Sequence, residues 1–184
     1  DRELGAEDLK AIRFSEKDVL VGIAASGRTP YVLGAMEYAK KLGAPVIGVS
    51  CCPGSQVDEA ADIGIATTPG PEVVTGSTRM KSGTAQKMIL NMLSTGAMIR
   101  LGKVYGNLMV DVKPTNEKLV RRCVTIVCEA TGEPEEKAVQ ALESCDYHCK
   151  TAIVMLLCGK SADEARALLH RADGRVAEAL RLKD

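Results

Sequence analysis

The stretch that most constrains the fold of this chain is residues 19–30, VLVGIAASGRTP. It begins as an apolar run with β-branched residues, which is typical of a buried parallel strand. Small residues follow at 24–27, and Pro30 then stands in the favoured first position of a helix. A strand, a short turn and a helix start aim backbone N–H groups at one point. The stretch therefore predicts either a phosphate site, with Ser26 and Thr29 as added hydroxyl donors, or an ordinary tight turn.

The same strand-and-helix pattern continues after this turn. Apolar residues recur at helical spacing as far as Leu42, and Gly43 is a natural stop for that helix. Val46–Ser50 and Ile63–Ala66 read as a second and a third strand, with a short helix over Ser55–Ala61 between them. Alternation of strands and helices with connections of this length predicts an α/β fold with a parallel sheet.

The second half of the chain reads as helical. A long helix is predicted from about Ser77 to Gly102, and residues 103–111 read as an irregular stretch. Beyond Pro114 no strand pattern follows, so we expect a domain over residues 1–113 and a small all-α bundle over residues 114–184. The predicted helices of the bundle are residues 115–130, 135–144, 148–158, 161–172 and 176–182, the first capped by Thr115 and the fourth opened by a capping box at Ser161 and Glu164.

The predicted sheet is small. Three parallel strands leave unpaired backbone groups at both edges, and parallel sheets usually have more strands with both faces covered. The chain also starts without Met. We therefore expect a sheet that is incomplete at the N-terminus, as in a fragment; the alternative is a complete fold behind a removed tag.

Composition excludes some partners. Lys plus Arg and Asp plus Glu both number 24, so the formal net charge is zero, which argues against nucleic acid or a membrane surface as a partner. No stretch has the apolar length of a membrane span. Seven cysteines, an odd number without framework spacing, favour reduced thiols in a cytoplasmic protein. Cys145, His148 and Cys149 do not match a zinc framework, so no metal is expected.

A second candidate site lies at residues 72–81, EVVTGSTRMK, between the third strand and the long helix. Ligands of open α/β sheets bind at the carboxyl ends of the strands, where this loop and the turn at residues 24–30 can converge. Ser77 and Thr78 offer hydroxyls at a predicted helix N-terminus, and Lys81 offers charge to an anion. Glu72 is the one carboxylate of the loop and could act as a base. The alternative is a plain helix cap with solvated cations.

Three motifs in this order resemble the N-acetylmuramic acid 6-phosphate etherase family. They are VGIAASGRTPY at residues 21–31, GPEVVTGSTRMKSGTAQK at residues 70–87 and GKVYGNLMVD at residues 102–111. The resemblance implies a sugar isomerase (SIS) domain with a three-layer, flavodoxin-like parallel sheet, followed by a small ubiquitin-associated-like helical bundle. It also implies a cytoplasmic homodimer that needs no cofactor.

The family resemblance also implies a reaction and a set of site residues. The lactyl ether of N-acetylmuramic acid 6-phosphate would be cleaved by elimination and hydration, giving N-acetylglucosamine 6-phosphate and D-lactate. By the same resemblance, the glutamates that act as acid and base lie upstream of Asp1, so the 184 residues alone are expected to be inactive. The residues expected to bind the sugar phosphate are Ser26, Gly27, Arg28, Thr29, Glu72, Ser77, Thr78 and Lys81.

Two other functions fit the same domain. One is a sugar-phosphate sensor without catalysis, like the glucokinase regulatory protein. The other is an aldose–ketose isomerase in which Glu72 is the base.

Overall fold

The computed structural model describes residues 1–182 and divides the chain into two compact units. The first runs from Asp1 to Met92, and the second begins at Leu93. The domain boundary expected between residues 113 and 114 stays a prediction.

The first unit alternates helices and strands in the order predicted from the sequence. The strands Val46–Ser50 and Ile63–Ala66 have the predicted bounds. Its elements are α1 (Arg2–Ala11), β1 (Leu20–Ala24), α2 (Pro30–Lys41), β2 (Val46–Ser50), α3 (Gln56–Ala60) and β3 (Ile63–Ala66), followed by the start of α4 (Lys81–Arg100).

The three strands form one parallel sheet in the order β1-β2-β3. Gly22 of β1 is paired with Gly48 of β2, so both glycines lie on the same face of the sheet. A Cβ on Gly22 would lie 2.7 Å from Met36 Sδ in α2, and one on Gly48 would lie 2.7 Å from the Val57 carbonyl oxygen in α3. Both helices therefore pack closely on this one face, against the buried core residues Leu9, Ala24, Leu33, Ala35, Met36, Ala39, Ala44, Val46 and Val57.

The long helix α4 begins at Lys81, four residues later than predicted. The apolar pattern extended the prediction to Ser77, but residues 79 and 80 form a turn. Three methionines stand on α4 or directly before it. Met80, Met88 and Met92 are 61%, 49% and 61% exposed, so they are not core of this chain.

The second unit contains a short hairpin and a bundle of five helices within the described residues. Residues 103–111 were predicted to be irregular, which is wrong: β4 (Val104–Tyr105) and β5 (Leu108–Met109) pair as an antiparallel hairpin. Two-residue strands give too few alternating positions for a period to show. The helices are α5 (Glu117–Thr131), α6 (Glu135–Glu143), α7 (Cys149–Cys158), α8 (Ala162–Arg171) and α9 (Val176–Arg181).

Of the two helix caps predicted in the bundle, one is confirmed and the other is wrong. Ser161 and Glu164 form the predicted capping box at the start of α8. The cap of α5 is Asn116 rather than Thr115, because the Asn116 side chain accepts from the Leu119 N–H at 3.0 Å. The core of the bundle is aliphatic with three buried thiols, at Cys123, Cys145 and Cys149.

Candidate functional site

The first candidate loop, residues 25–29, joins β1 to α2. Gly27 has φ +63°, a left-handed conformation that glycine adopts without a steric penalty, and its N–H donates to the Ala24 carbonyl at 2.8 Å. Ser26 is half-buried, while Arg28 and Thr29 are exposed. Thr29 is the N-cap of α2, and its hydroxyl makes no capping hydrogen bond. The loop thus presents hydroxyl and cationic side chains beside the first turn of a helix.

Ser55 completes this loop from the other side and was missed as a site residue in the sequence. A Cβ on Gly27 would lie 2.1 Å from Ser55 Oγ, and the Val57 N–H donates to the Gly27 carbonyl at 2.9 Å. Within residues 1–182, Ser55 Oγ is the one buried side-chain oxygen or nitrogen that has no hydrogen-bond partner. Such groups are rare in native proteins. From sequence, Ser55 reads only as the start of a short helix.

The second candidate loop leads into α4 and is organised by Glu72. Its Oε2 accepts from the Lys81 N–H and its Oε1 from the Ser82 N–H, both at 3.1 Å. These bonds satisfy the first two backbone donors of α4, so the carboxylate of Glu72 does the work that the alternative interpretation gave to a cap at Ser77 or Thr78. Ser77 instead accepts a long hydrogen bond, 3.4 Å, from the Arg79 N–H, and Thr78 is exposed.

The hydrogen bonds to Glu72 also set its chemistry. The backbone N–H groups of Lys81 and then Ser82 lower the pKa of the Glu72 carboxyl, because they stabilise its ionised form. A carboxylate held in this way is a weaker base than a free one. The geometry therefore gives Glu72 a role in holding the loop against the helix.

The two loops are linked through the end of β2. The Cys51 N–H donates to the Ala25 carbonyl at 2.9 Å, in the first loop. Cys51 Sγ lies 3.9 Å from the carbonyl oxygen of Ser82, the residue whose N–H donates to Glu72 in the second loop. The Thr67 hydroxyl, which follows β3, donates to the same sulfur at 3.5 Å. Both loops therefore lie at the carboxyl end of the sheet, as strand order alone predicted.

Cationic side chains predominate over acidic ones in these loops. Arg28, Arg79 and Lys81 are exposed, whereas Glu72 is the one acidic residue of the two loops and is already bound by backbone donors. Together with the hydroxyls of Ser26 and Thr29, these groups suit an anion. In the described part of the chain, no group of three or more His, Cys, Asp or Glu residues is placed to hold a metal ion. No helix over residues 1–182 is both long and apolar enough to cross a membrane.

A comparison with protein families supports the fold. Residues 6–96 match the family model of the SIS domain, and the fold class expected from the resemblance is confirmed. The match contains both candidate loops.

Three curated relatives of this chain carry the name of one enzyme. N-acetylmuramic acid 6-phosphate etherases of Aliivibrio fischeri and Photorhabdus laumondii are 63% identical over 98% and 64% identical over 95% of this chain. N-acetylmuramic acid 6-phosphate etherase 1 of Vibrio cholerae is 59% identical over 98% of it. The resemblance to this family is thereby confirmed along almost the whole chain. The chain spans 60%, 58% and 60% of the lengths of these three relatives.

Proposed function

We propose that this chain is the sugar-phosphate-binding part of an N-acetylmuramic acid 6-phosphate etherase. The observation that carries the proposal is the 63% identity to a curated etherase over 98% of the chain, with both candidate loops inside the SIS match. The whole protein would cleave the D-lactyl ether of N-acetylmuramic acid 6-phosphate by elimination and hydration. The products would be N-acetylglucosamine 6-phosphate and D-lactate, as in the recycling of cell-wall amino sugars.

The loop geometry supports binding of the phosphate end of the substrate. The first turn of α2 leaves backbone N–H groups without partners inside the helix, and Pro30 at its start has no N–H to lose. The free hydroxyl of Thr29 and the half-buried Ser26 stand beside these groups, next to the buried Ser55 hydroxyl. We propose that the first-turn N–H groups and the hydroxyls of Ser26 and Thr29 hold the phosphate and that Lys81 and Arg28 contribute charge.

The same geometry argues against catalysis by the two loops alone. Glu72 is their one acidic residue, and both of its carboxylate oxygens accept backbone hydrogen bonds. Proton removal from a sugar carbon needs a base within reach of that proton. We propose that the 184 residues bind the substrate and release no lactate. The isomerase alternative also needs Glu72 as the base and is disfavoured for the same reason.

The binding proposal is tested by calorimetric titration of the chain with N-acetylglucosamine 6-phosphate. N-acetylglucosamine, which lacks the phosphate, serves as the matched ligand and is expected to bind at least about tenfold more weakly. Thr29→Val, which removes only the hydroxyl donor, is expected to weaken binding of the phosphate sugar, while Thr125→Val in α5 serves as the matched control. Equal affinity for both sugars would contradict a phosphate site.

The catalytic proposal has its own assay. N-acetylmuramic acid 6-phosphate is incubated with the chain, and D-lactate is measured by a coupled dehydrogenase. We expect no lactate above the rate without protein. Lactate release that is lost in Glu72→Gln would show that the carboxylate is the base after all.

We also propose that the protein is a homodimer in the cytoplasm. The exposed Met88 and Met92 of α4, with Met80 just before it, offer an apolar contact surface, and all seven cysteines are free thiols, as in a reducing compartment. Light scattering of the purified protein measures the oligomeric state. A monomer at micromolar concentration would count against the dimer.

A further inference from the structure

A separate cavity lies in the second unit, between the end of α4 and the hairpin. Its volume is about 470 Å³, within the range of small-molecule sites. Residues 94–111 supply all of its lining, which is outside both candidate loops. The apolar part of the wall is Met98, Ile99, Val104 and Met109, and the polar part includes Thr95, Asn107, Lys103 and Asp111.

The hairpin gives this cavity a fixed wall. Side chains alternate along a strand, so Leu108 and Val110 face one side while Met109 faces the other. Leu108 packs against the bundle core, and Val110 is fully buried in it. Met109 is 47% exposed and lines the cavity. Because the opposite side of the hairpin is anchored, the cavity is formed before any ligand arrives.

One end of the cavity is charged. Lys103 Nζ lies 2.5 Å from Asp111 Oδ2, and Lys150 Nζ lies 3.8 Å from Asp111 Oδ1. Lys150 is only 7% exposed, an unusual position for an ammonium group. The hydrogen bond from Lys103 lowers the pKa of the Asp111 carboxyl, so Asp111 is ionised at neutral pH.

The charges at this end do not cancel. One carboxylate stands between two ammonium groups, which leaves one positive charge in excess. Asp111 is the one acidic residue among those that line the cavity, so a further anion beside Lys103 would be favoured. Lys103 has three donors, and Asp111 accepts one of them. The Lys103 side chain is 40% exposed, so a ligand in the cavity can reach it.

We propose that this cavity binds a small amphipathic carboxylate, with its apolar body against Met98, Ile99 and Met109 and its single negative charge on Lys103. Met98 and Ile99 are 45% and 53% exposed, so an apolar body would remove them from water. Methionine side chains adapt to irregular apolar ligands, which suits a flexible chain. The site takes an anion without a sugar and is independent of the function proposed above.

The proposal is tested with decanoate as the probe, titrated into the 184-residue chain and followed by calorimetry and by methyl NMR signals of the methionines. Decanol has the same body without the charge, and decyltrimethylammonium has the opposite charge. We expect decanoate to bind at least about tenfold more tightly than decanol, the difference that one charge-assisted hydrogen bond supplies. The NMR shifts are expected at Met98 and Met109.

Two variants test the charge of Lys103 and the apolar wall of the cavity separately. Lys103→Met removes the ammonium and keeps the length of the side chain, and it is expected to bring decanoate down to the affinity of decanol. Ile99→Asp places a negative charge on the wall without touching the ion pairs, and it is expected to abolish decanoate binding. Lys118→Met, at an exposed position of α5, is the matched control and should bind as the parent does.

Three results would overturn the proposal. Decanol that binds as tightly as decanoate would show that the charge plays no part, and so would a Lys103→Met chain that binds decanoate as the parent does. The third is a second copy of the chain seated over the same residues. Decanoate would then fail to bind, and Ile99→Asp would lower the molecular mass measured by light scattering.

Discussion

Gly27 is the residue on which the first candidate loop depends. Its left-handed backbone closes the turn after β1, and its missing Cβ makes room for the Ser55 hydroxyl. Both requirements act at one position. Any L side chain there meets a strained backbone and a clash with Ser55 together.

We predict that Gly27→Ala lowers the affinity for N-acetylglucosamine 6-phosphate by at least about tenfold and destabilises the chain by about 1–3 kcal/mol, from backbone strain and overpacking. Titration calorimetry and thermal unfolding measure the two effects. Gly96→Ala is the control, since a Cβ there meets nothing within 4 Å and Gly96 lies inside a helix. A Gly27→Ala chain that binds normally would show that the turn does not hold the phosphate.

Asp62 is a second residue with a defined role, and it directly precedes β3. Its Oδ2 accepts from the Val46 N–H at 2.8 Å, and its Oδ1 lies 3.2 Å from Lys40 Nζ. The hydrogen bond from the Val46 N–H is the larger cause, and the Lys40 ammonium the next, of a lowered pKa of the Asp62 carboxyl in the folded chain. A lowered folded-state pKa means that the stabilisation is complete above the ordinary pKa of about 4 and is lost as the pH falls below it.

We predict that Asp62→Ala lowers the Tm at neutral pH and that the difference from the parent shrinks as the pH falls below about 4. Thermal unfolding by circular dichroism over a pH series measures this. The matched control is Glu59→Ala, at an exposed acidic position of the same unit. A Tm difference that stays constant down to acidic pH would mean that the ionised carboxylate is not the stabilising form.

At the scale of elements, α1 and α2 cross with their backbones in close contact. A Cβ on Gly34 would lie 2.0 Å from the Arg2 carbonyl oxygen, and one on Gly5 would lie 2.2 Å from the Tyr31 carbonyl oxygen. The backbones thus meet at a glycine on each helix. At the edges of this contact, Arg2 forms an ion pair with Glu37, and the Tyr31 hydroxyl donates to Asp8 at 2.7 Å.

We predict that Gly34→Ala destabilises the chain by about 1–3 kcal/mol, although alanine is the better helix former, because the added methyl meets backbone that cannot move aside. Urea unfolding measures the change. Gly96→Ala, at the open helical position in α4, is expected to be neutral or stabilising. Equal stabilisation by Gly34→Ala and Gly96→Ala would contradict the close packing of α1 against α2.

At the scale of the whole molecule, the cysteines report on the native state. Cys52 is exposed, whereas Cys123, Cys145 and Cys149 are buried in the second unit. Burial raises the pKa of the Cys145 and Cys149 thiols, which lowers their thiolate fraction at neutral pH.

We predict that iodoacetamide modifies Cys52 rapidly and the three buried cysteines only upon unfolding, as followed by peptide mass spectrometry. The chain in urea is the control, and all seven cysteines should react there. Rapid labelling of Cys149 in the native protein would contradict the packing of the bundle core.

Periodicity predicted the longer elements well. The strands β2 and β3 and the course of α2 follow from apolar runs, a proline at a helix start and a glycine after the helix end, which all act within a few residues. The hairpin at residues 104–109 was missed because two-residue strands are defined by their partner rather than by their own pattern.

The candidate site was predicted in part. The sequence placed Ser26, Gly27 and Thr29 on one loop and Glu72 on another, and the structure puts both loops at the same end of the sheet. That these residues bind the sugar phosphate stays a prediction. Ser55 could not be found, because its contact with Gly27 joins two segments that only the folded chain brings together.

By itself, then, the sequence determined the α/β class, the helical second half and the family, since local patterns and motifs carry that information. Only the tertiary structure decided that Glu72 binds two backbone N–H groups, that Cys51 links the two loops, and that Lys103, Asp111 and Lys150 meet. The physical reason is distance along the chain. Hydrogen bonds and ion pairs between residues eight or more positions apart, as these are, depend on how the elements pack, and no local period encodes that packing.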